Sequence, residues 1–479
     1  MRSNGLSKSL SVTFVAFVLM VSAPLHADRL ASGDAHNLVA RGDSGQFVWG
    51  ANANGQLGDG TTLDALNPIP VVDIRYNSLN GAIAVVSHGD NNLVLLDDAT
   101  LLGWGPNENS QLGSGLLYSG KYRGITADDG DGTDPGDGTD ADDGTDPEPE
   151  EPVSTALAYP TEVVDPDGKP IANVTAVALG ANFAAAINQG GNVLVWGNLE
   201  AFKDTEEDRE PANRFRDKFF DPNMEFIDSQ YKDGDPVSDY DLQYMRDEQG
   251  NRYTDIIAIA VGDSHLLALT SIGQVLAWGE NSAGQLGVGT LTQRPYPVYA
   301  RSSQSVMISA IPSIAAHGNA SLAVQADGRL LGWGSSVLAT PLVTESSDRL
   351  QQYYARPLVD GEGNAIAGIR RVALGDSHAL AMTLDNRLVS WGSNSNGQLG
   401  NGTNDSVSGT AKVVLSNGQP IRDVIEIAVG STHSLALHGN GQVFAWGSGE
   451  NGRVGDGTNI DSYYAVNVRD RNNGPFLLF

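Results

Sequence analysis

Histidine is the residue type in this chain that could most readily do chemistry, because its pKa lies near neutrality and its neutral ring binds metal ions. Four histidines recur at one position of a repeated pattern, namely His36, His265, His378 and His433. His88 and His317 lie three residues before the same position in two further units. Because recurrence indicates a shared structural role, we expect each of the four rings to hydrogen-bond a neighbouring strand. A metal-binding channel lined by histidines is the alternative, although no His-x-His or His-Glu-x-x-His spacing supports it.

Three other short motifs suggest chemistry. The segment Gly262–His265 reads Gly-Asp-Ser-His and recurs at Gly375–His378, but a Ser-His-Asp triad is one constellation, whereas this motif is part of a repeat. Residues 41–43 form an Arg-Gly-Asp tripeptide, which matches by chance too often to indicate adhesion. Residues 115–121 nearly match a phosphate-binding loop, but Tyr122 replaces the Ser or Thr that binds magnesium. We therefore predict no catalytic residue, no metal site and no cofactor.

Each of the seven tryptophans precedes a glycine, and these pairs mark an internal repeat. The tryptophans are Trp49, Trp104, Trp196, Trp278, Trp333, Trp391 and Trp446. An aliphatic residue opens a strand eleven positions before each of them, as Leu435 does before Trp446. A turn such as Asn440-Gly441 separates two segments of alternating hydrophobicity, which is typical of a β-hairpin. The pattern predicts an all-β chain whose repeats are the blades of a propeller, each burying its faces against its neighbours.

Successive tryptophans lie 55, 92, 82, 55, 58 and 55 residues apart, so the basic period is 55 residues. This period is longer than the roughly 40–45 residues of WD-type blades. The segment 28–49 has 22 residues and the segment 447–479 has 33, which together make one period. Because a ring must close, we predict one blade shared by the two ends of the chain, in which Tyr463–Val468 or Gly474–Phe479 pairs with strands that begin near Leu30.

The units Gly262–Thr290 and Gly375–Thr403 contain Gly-Asp-Ser-His, the Trp-Gly pair and a loop that ends in Gly-Gln-Leu-Gly. With these motifs the chain resembles the regulator of chromosome condensation repeat family over nearly all of its length after residue 27. The resemblance implies a seven-bladed β-propeller. Members of that family include a nucleotide-exchange factor for a small GTPase and exported bacterial proteins that bind other proteins. This chain is expected to be an exported bacterial member.

Three units depart from the repeat. Asn91, Phe183 and Ala320 stand where the other units have histidine. The third and fifth units also lack Gly-Gln-Leu-Gly after their Trp-Gly pairs. We expect these losses to weaken the outer turns and to leave the inner hairpins intact.

The first 27 residues have the pattern of a secretory signal peptide. Arg2 and Lys8 precede the apolar run Leu10–Ala23, and cleavage is expected near Ala27. An uncleaved anchor is the alternative, but this run is shorter than the roughly 20 residues that span a membrane. The sequence thus predicts a propeller over residues 28–479 that is exported to the periplasm or beyond the cell, with no membrane span.

Charge and composition exclude several function classes. The chain has 29 basic and 58 acidic residues, a net charge of −29, and no cysteine. A nucleic-acid partner is not expected because phosphate contacts need a surplus of Lys and Arg. Disulfides and thiolate chemistry are excluded outright. Residues 127–152, with three Asp-Gly-Thr-Asp units and no basic residue, predict an acidic, disordered insertion. Calcium binding by this insertion is the alternative, but no complete calcium-loop motif is present.

A second insertion, residues 198–254, interleaves aromatic residues with arginines, as protein interfaces do. The candidate ligand-binding residues are Arg216, Phe219, Phe220, Tyr240 and Tyr244. Packing of these aromatics onto the propeller surface is the alternative. Both insertions follow a Trp-Gly strand, so we expect both to leave the ring on the same side.

The sequence as a whole predicts a monomeric, non-enzymatic scaffold that binds an unknown protein or cell-surface ligand through its loops. A hydrolase or lyase that uses acidic loop residues is one alternative. A guanine-nucleotide exchange factor, suggested by the family resemblance, is another, but export would separate it from GTPases.

Overall fold

The computed structural model describes residues 28–41, 45–114, 157–165, 168–202, 241–335, 353–360 and 362–479. These residues form seven four-stranded antiparallel sheets, arranged as the blades of a β-propeller. The predicted all-β, seven-bladed fold is confirmed. In this part of the chain, no helix has the length and hydrophobicity needed to cross a membrane.

Each blade consists of four strands that follow one another along the chain. Blade 1 contains β1 (Leu30–Ser32), β2 (His36–Ala40), β3 (Gln46–Gly50) and β4 (Ala65–Pro70); blade 2 contains β5 (Ala82–His88), β6 (Asn91–Leu96), β7 (Leu101–Gly105) and β8 (Leu157–Glu162); blade 3 contains β9 (Val174–Leu179), β10 (Phe183–Asn188), β11 (Val193–Gly197) and β12 (Asp241–Tyr244). Blade 4 contains β13 (Ile256–Val261), β14 (His265–Thr270), β15 (Val275–Gly279) and β16 (Arg294–Tyr299), and a small hairpin of β17 (Arg301–Ser303) and β18 (Val306–Met307) follows it. Blade 5 contains β19 (Ser313–His317), β20 (Ala320–Val324), β21 (Leu330–Gly334) and β22 (Arg356–Pro357); blade 6 contains β23 (Ile369–Leu374), β24 (His378–Thr383), β25 (Leu388–Gly392) and β26 (Val407–Lys412); blade 7 contains β27 (Val424–Val429), β28 (His433–His438), β29 (Val443–Gly447) and β30 (Ser462–Asn467).

The position of a strand in its blade follows from its hydrophobicity. The first strands of neighbouring blades contact one another, so they surround the central channel. Second and third strands, such as β28 and β29, are almost fully buried because adjacent blades cover both of their faces. The fourth strands lie at the rim, and β16 and β30 are accordingly partly exposed along most of their length.

The hydrophobic core is divided among the junctions between blades. One cluster joins Phe183 and Val195 of blade 3 with Leu266 and Trp278 of blade 4. Corresponding clusters occupy the other junctions. Because an isolated sheet leaves apolar faces exposed, each blade depends on its neighbours for stability.

The ring closes without a shared blade, so the predicted pairing of the two chain ends is wrong. Blade 1 consists of β1–β4 and blade 7 of β27–β30, and the tail strand β30 pairs with β29. Leu477 forms one bridge with Gln442, which also belongs to blade 7. In any chain made of a whole number of repeats, the segment up to the first tryptophan and the segment after the last one add up to one period. This holds wherever the tryptophan lies within the repeat. The segment lengths therefore carry no information about where a blade begins.

Side-chain contacts close the ring instead. The Phe476 ring lies 5.2 Å from the ring of Phe47 and 6.4 Å from that of Trp49, both in blade 1. Beside the channel, the Leu30 N–H donates to Glu426 Oε1 of blade 7 over 2.8 Å. The last blade and the residues that follow it thus hold the first blade by packing and hydrogen bonds.

Antiparallel pairing distributes the connections over two faces of the ring. The turn between the first and second strands and the loop between the third and fourth strands lie on one face, which we call the loop face. The remaining turns and the links between blades lie on the opposite face, the connection face. Residues 115–156 and 203–240 both fall between the third and fourth strands, so both join their blades at the loop face, as predicted.

Candidate functional site

Four buried histidines bridge neighbouring blades. Each begins the second strand of its blade, and its Nε2 reaches the second residue of the corresponding strand in the next blade. The distance from the histidine Nε2 to the partner oxygen is 2.8 Å in all four pairs, which are His36 with Asn92 Oδ1, His265 with Ser321 Oγ, His378 with Ser434 Oγ and His433 with Asn37 Oδ1. The predicted hydrogen bond from the recurring histidine is confirmed, and its partner belongs to the next blade.

A second hydrogen bond fixes where the proton lies on these rings. Ser321 Oγ donates to the Gln285 carbonyl over 2.8 Å, so the same oxygen must accept the proton of His265 Nε2. Nδ1 is then unprotonated, and it has no hydrogen-bond partner in any of the four rings within the described ranges. Burial lowers the pKa of His265 to about 4 and that of His378 to about 3, so both rings are neutral near pH 7.

The same glutamine carbonyl receives the tryptophan of the next blade. The indole N–H donates over 2.9 Å from Trp104 to Gln56, over 2.8 Å from Trp333 to Gln285 and over 2.9 Å from Trp446 to Gln398. The last glycine of the loop lies against that indole. A β-carbon on Gly287, whose φ is +68°, would stand 2.9 Å from the Trp333 ring. The Gly-Gln-Leu-Gly loop is therefore part of the junction between two blades.

Blades 2 and 7 carry variants of this loop and make the same bond, from Trp196 to the Gln111 carbonyl and from Trp49 to the Arg453 carbonyl, whereas blades 3 and 5 have no related sequence. After blade 3, the Phe202 ring packs 4.8 Å from Phe183 and 4.6 Å from Trp278, and the Trp278 indole donates to the Pro295 carbonyl. After blade 5, the Trp391 indole nitrogen is buried and finds no partner among the described residues. An aromatic cluster thus takes the place of the polar network at the junction after blade 3.

Two further histidines meet in the central channel. His88 ends the first strand of blade 2 and His317 ends that of blade 5, yet their ring centroids are only 4.9 Å apart. Because blades 2 and 5 are not neighbours, the pair must span the channel at the loop face. His317 Nε2 lies 2.6 Å from Asp376 Oδ1, and His88 Nε2 lies 3.5 Å from Asp263 Oδ1. We call His88, His317, Asp34, Asp263 and Asp376 the channel-mouth cluster.

The three carboxylates of the channel-mouth cluster differ in their proton affinity. Hydrogen bonds from His88 and His317 lower the pKa of Asp263 and of Asp376, respectively. Burial, followed by repulsion from Asp376, raises the pKa of Asp34. The side chains of Asp263 and Asp376 are 46% and 53% exposed, so both carboxylates can accept further hydrogen bonds from a cationic group at the loop face.

The Gly-Asp-Ser-His motifs do not assemble a catalytic triad. Asp263 and Asp376 face His88 and His317, which belong to other blades, whereas His265 binds Ser321 of the next blade. Within the described part of the chain, no group of three or more His, Asp or Glu side chains has the geometry to hold a metal ion. The arrangement is suited to binding a positive charge.

Four of the five candidate residues of the second insertion lie outside the described ranges, namely Arg216, Phe219, Phe220 and Tyr240. Tyr244 ends β12, the fourth strand of blade 3, and packs against the core between blades 2 and 3. The guanidinium of Arg252 lies 3.7 Å from the centroid of its ring. The range 198–254 therefore includes part of the blade itself, and Tyr244 contributes to packing there.

Comparison with known proteins identifies the repeats. Models of the regulator of chromosome condensation (RCC1) repeat match residues 256–285, 369–398 and 424–453, and also 273–324 and 385–437. Protein pim1 of Schizosaccharomyces pombe is 26% identical over 60% of this chain and 49% of its own length. The Arabidopsis thaliana ultraviolet-B receptor UVR8 is 32% identical over 44% of this chain and 45% of the receptor. The chain thus spans about half the length of these curated relatives.

Solved structures share the architecture. Yeast RCC1 (Prp20), in a crystal structure with bound Kap60, has a TM-score of 0.59 at 19% identity, with 98% of this chain and 92% of that chain covered. Human WBSCR16 has a TM-score of 0.53 at 19% identity, with 92% and 82% covered. At this level of identity the similarity shows the fold alone.

Proposed function

Since this chain belongs to the regulator of chromosome condensation repeat family, we propose that it is a non-enzymatic scaffold that binds another protein through the loop face of its propeller. A rigid ring that carries variable loops is well suited to recognition. The relative in the yeast structure was crystallised with a protein partner, Kap60, which supports a binding role for the fold.

The channel-mouth cluster is the observation that carries this proposal. Blades 1, 4 and 6 each contribute one carboxylate to it, and blades 2 and 5 contribute the two histidines. Asp263 and Asp376 remain about half exposed on the face that both long insertions join. A lysine or arginine side chain of a partner would find charge-assisted acceptors there, and the net charge of −29 would attract a basic partner over a longer range.

We propose that the protein meets its partner outside the cytoplasm. The support lies in the sequence, where residues 1–27 have the pattern of a secretory signal. The acidic composition also disfavours chromatin as a partner. The expected partner is an exported or surface protein with an exposed basic side chain.

The test is capture of partners from the exported fraction with the tagged full chain and a D263N/D376N variant. We expect the variant to retain no more than about a tenth of the captured protein, because it loses both exposed carboxylates of the cluster. E248Q/E362Q, which removes two exposed charges from the connection face, is the matched control and should capture as the unmodified chain does. Equal capture by all three proteins, at equal melting temperature, would refute a role for the channel mouth.

The contribution of the second insertion needs a separate variant. Deletion of residues 203–240 keeps β12 in place, whereas deletion of the whole range 198–254 would remove a strand of blade 3. Unchanged capture by the shorter deletion would exclude this insertion from the binding site.

A hydrolase is the second candidate, because Asp34 and Asp376 have pKa values displaced in opposite directions at one mouth. Such a pair could divide acid and base roles between its members. Turnover of an exported-fraction substrate that D34N and D376N each abolish would support this candidate. Turnover that both variants leave unchanged would exclude these residues as its catalytic groups.

A further inference from the structure

A groove on the connection face combines apolar lining with two arginines. It lies between blade 1 and the segment that follows blade 7, and its volume is about 420 Å³. The apolar part of the lining comprises Phe47, Pro68, Pro70, Pro475, Phe476 and Leu477. Arg41 and Arg471 supply its positive charge. Because both chain ends contribute, the groove exists only in the closed ring.

Neither arginine has an acidic partner among the described residues. The Arg41 guanidinium carbon lies 5.9 Å from the ring centroids of both Phe47 and Phe476, which place it beside the groove. The carboxylate of Asp470, also in the lining, accepts hydrogen bonds over 2.9 Å from two backbone N–H groups of its own turn. As far as the described part of the chain is concerned, both positive charges are available to a ligand.

This combination is unusual for the chain. Acidic residues outnumber basic ones by 58 to 29, so a groove that brings two arginines together departs from the overall charge of the chain. Two guanidinium groups without an acidic partner in the described ranges, beside a groove of aromatic and proline rings, complement a ligand that carries carboxylates and an apolar side chain. We propose that the groove binds an extended acidic segment of a partner protein, with carboxylates at Arg41 and Arg471 and an apolar side chain against Phe47 and Phe476.

The prolines determine how such a segment can lie. Pro68 and Pro70 belong to β4, the outermost strand of blade 1, and neither has a backbone N–H. An incoming segment therefore cannot continue the sheet along this part of the edge. Recognition must come from side chains in the groove, namely the two arginines and the apolar lining. The proposal does not depend on the loop face, because the groove lies on the opposite face.

The test uses the full chain and a fluorescein-labelled peptide of alternating Glu and Phe, with fluorescence anisotropy as the readout. We expect saturable binding that weakens at least about tenfold in R41E/R471E and as salt increases. R75E/R422E, which reverses two exposed arginines elsewhere on the connection face, is the matched control and should bind as the unmodified chain does. If charge reversal lowers the melting temperature, the neutral pair R41Q/R471Q replaces it.

Three results would overturn the proposal. One is equal affinity of the groove variant and the unmodified chain, and another is absence of binding up to about 1 mM peptide. The third is equal binding of a peptide in which Gln replaces every Glu. Analytical ultracentrifugation without peptide supplies a further check. Self-association that R41E/R471E abolishes would show that a second copy of this chain, rather than a partner protein, fills the groove.

Discussion

His433 Nε2 lies 2.8 Å from Asn37 Oδ1, although 396 residues separate the two in the chain. The equivalent bonds at the other three junctions join residues that are 56 positions apart. The junction that closes the ring therefore has the same geometry as a junction inside the repeat, and blade 7 contacts blade 1 as it would any following blade.

The coupling between blades can be measured at the His378–Ser434 pair. A double-mutant cycle with H378A and S434A should give an interaction free energy of about 1 kcal/mol, because each single variant already breaks the bond. Urea unfolding supplies the four free energies. H378A combined with S321A is the control, since Ser321 belongs to another junction, and its effects should add to within about 0.5 kcal/mol. Additivity in the first cycle would contradict a bond between blades.

The buried histidines should make the protein sensitive to acid. Burial lowers the pKa of His378 from 6.5 to about 3, so the unfolded chain binds its proton first as the pH falls. The stability that the neutral ring contributes is complete above pH 6.5 and is lost toward pH 3, at about 1.4 kcal/mol per pH unit. H378Q keeps a donor and does not titrate, so its free energy of unfolding should fall less steeply between pH 6.5 and 4.5. A slope that H378Q leaves unchanged would contradict this account.

The tryptophan hydrogen bond between blades should contribute measurably to stability. Trp446 donates to the Gln398 carbonyl of the preceding blade over 2.9 Å. W446F removes this donor and keeps an aromatic ring in place, so it should lower the free energy of unfolding by about 1 kcal/mol or more. Chemical denaturation of the variant and the unmodified chain checks the difference, and equal stability of the two would contradict it.

Closure by side chains predicts a large effect at Phe476. This residue is 5% exposed and contacts the rings of Phe47 and Trp49 across the closing junction. F476A should lower the free energy of unfolding by about 3–4 kcal/mol, because it leaves a cavity in the core. F479A, at a residue that is 57% exposed, is the matched control and should change stability by less than about 0.5 kcal/mol. Similar melting curves for the two variants would show that the tail does not secure the ring.

The fold could be predicted because the repeat encodes each blade locally. Trp-Gly pairs, hairpin turns and apolar second strands recur with one spacing, and each is a feature of a single blade. The sequence also contains a signal for the hydrogen-bond partner of each histidine, which we did not predict. A polar residue follows the histidine position in each blade that comes after a histidine-bearing blade, namely Asn37, Asn92, Ser321 and Ser434. Ala184, Leu266 and Ala379 occupy that position where the preceding blade lacks histidine.

The channel-mouth cluster could not be predicted from spacing. His88 and His317 meet because their blades face each other across a seven-membered ring, and their separation in sequence encodes no such contact. The closing blade was mispredicted for a related reason, since segment lengths cannot show which strand comes first in a repeat. The groove between Arg41 and Phe476 likewise depends on the two chain ends meeting.

Because all seven sheets are built from consecutive strands, the structure of the ring does not depend on which sheet comes first in the chain. A circularly permuted chain, opened between two other sheets and joined at the present ends by a linker, would retain every hydrogen-bonded sheet. Duplication of a gene segment that encodes one whole unit would likewise add a complete part. The number of units in the ring is then limited by how many sheets can pack around its circumference and not by the continuity of the chain.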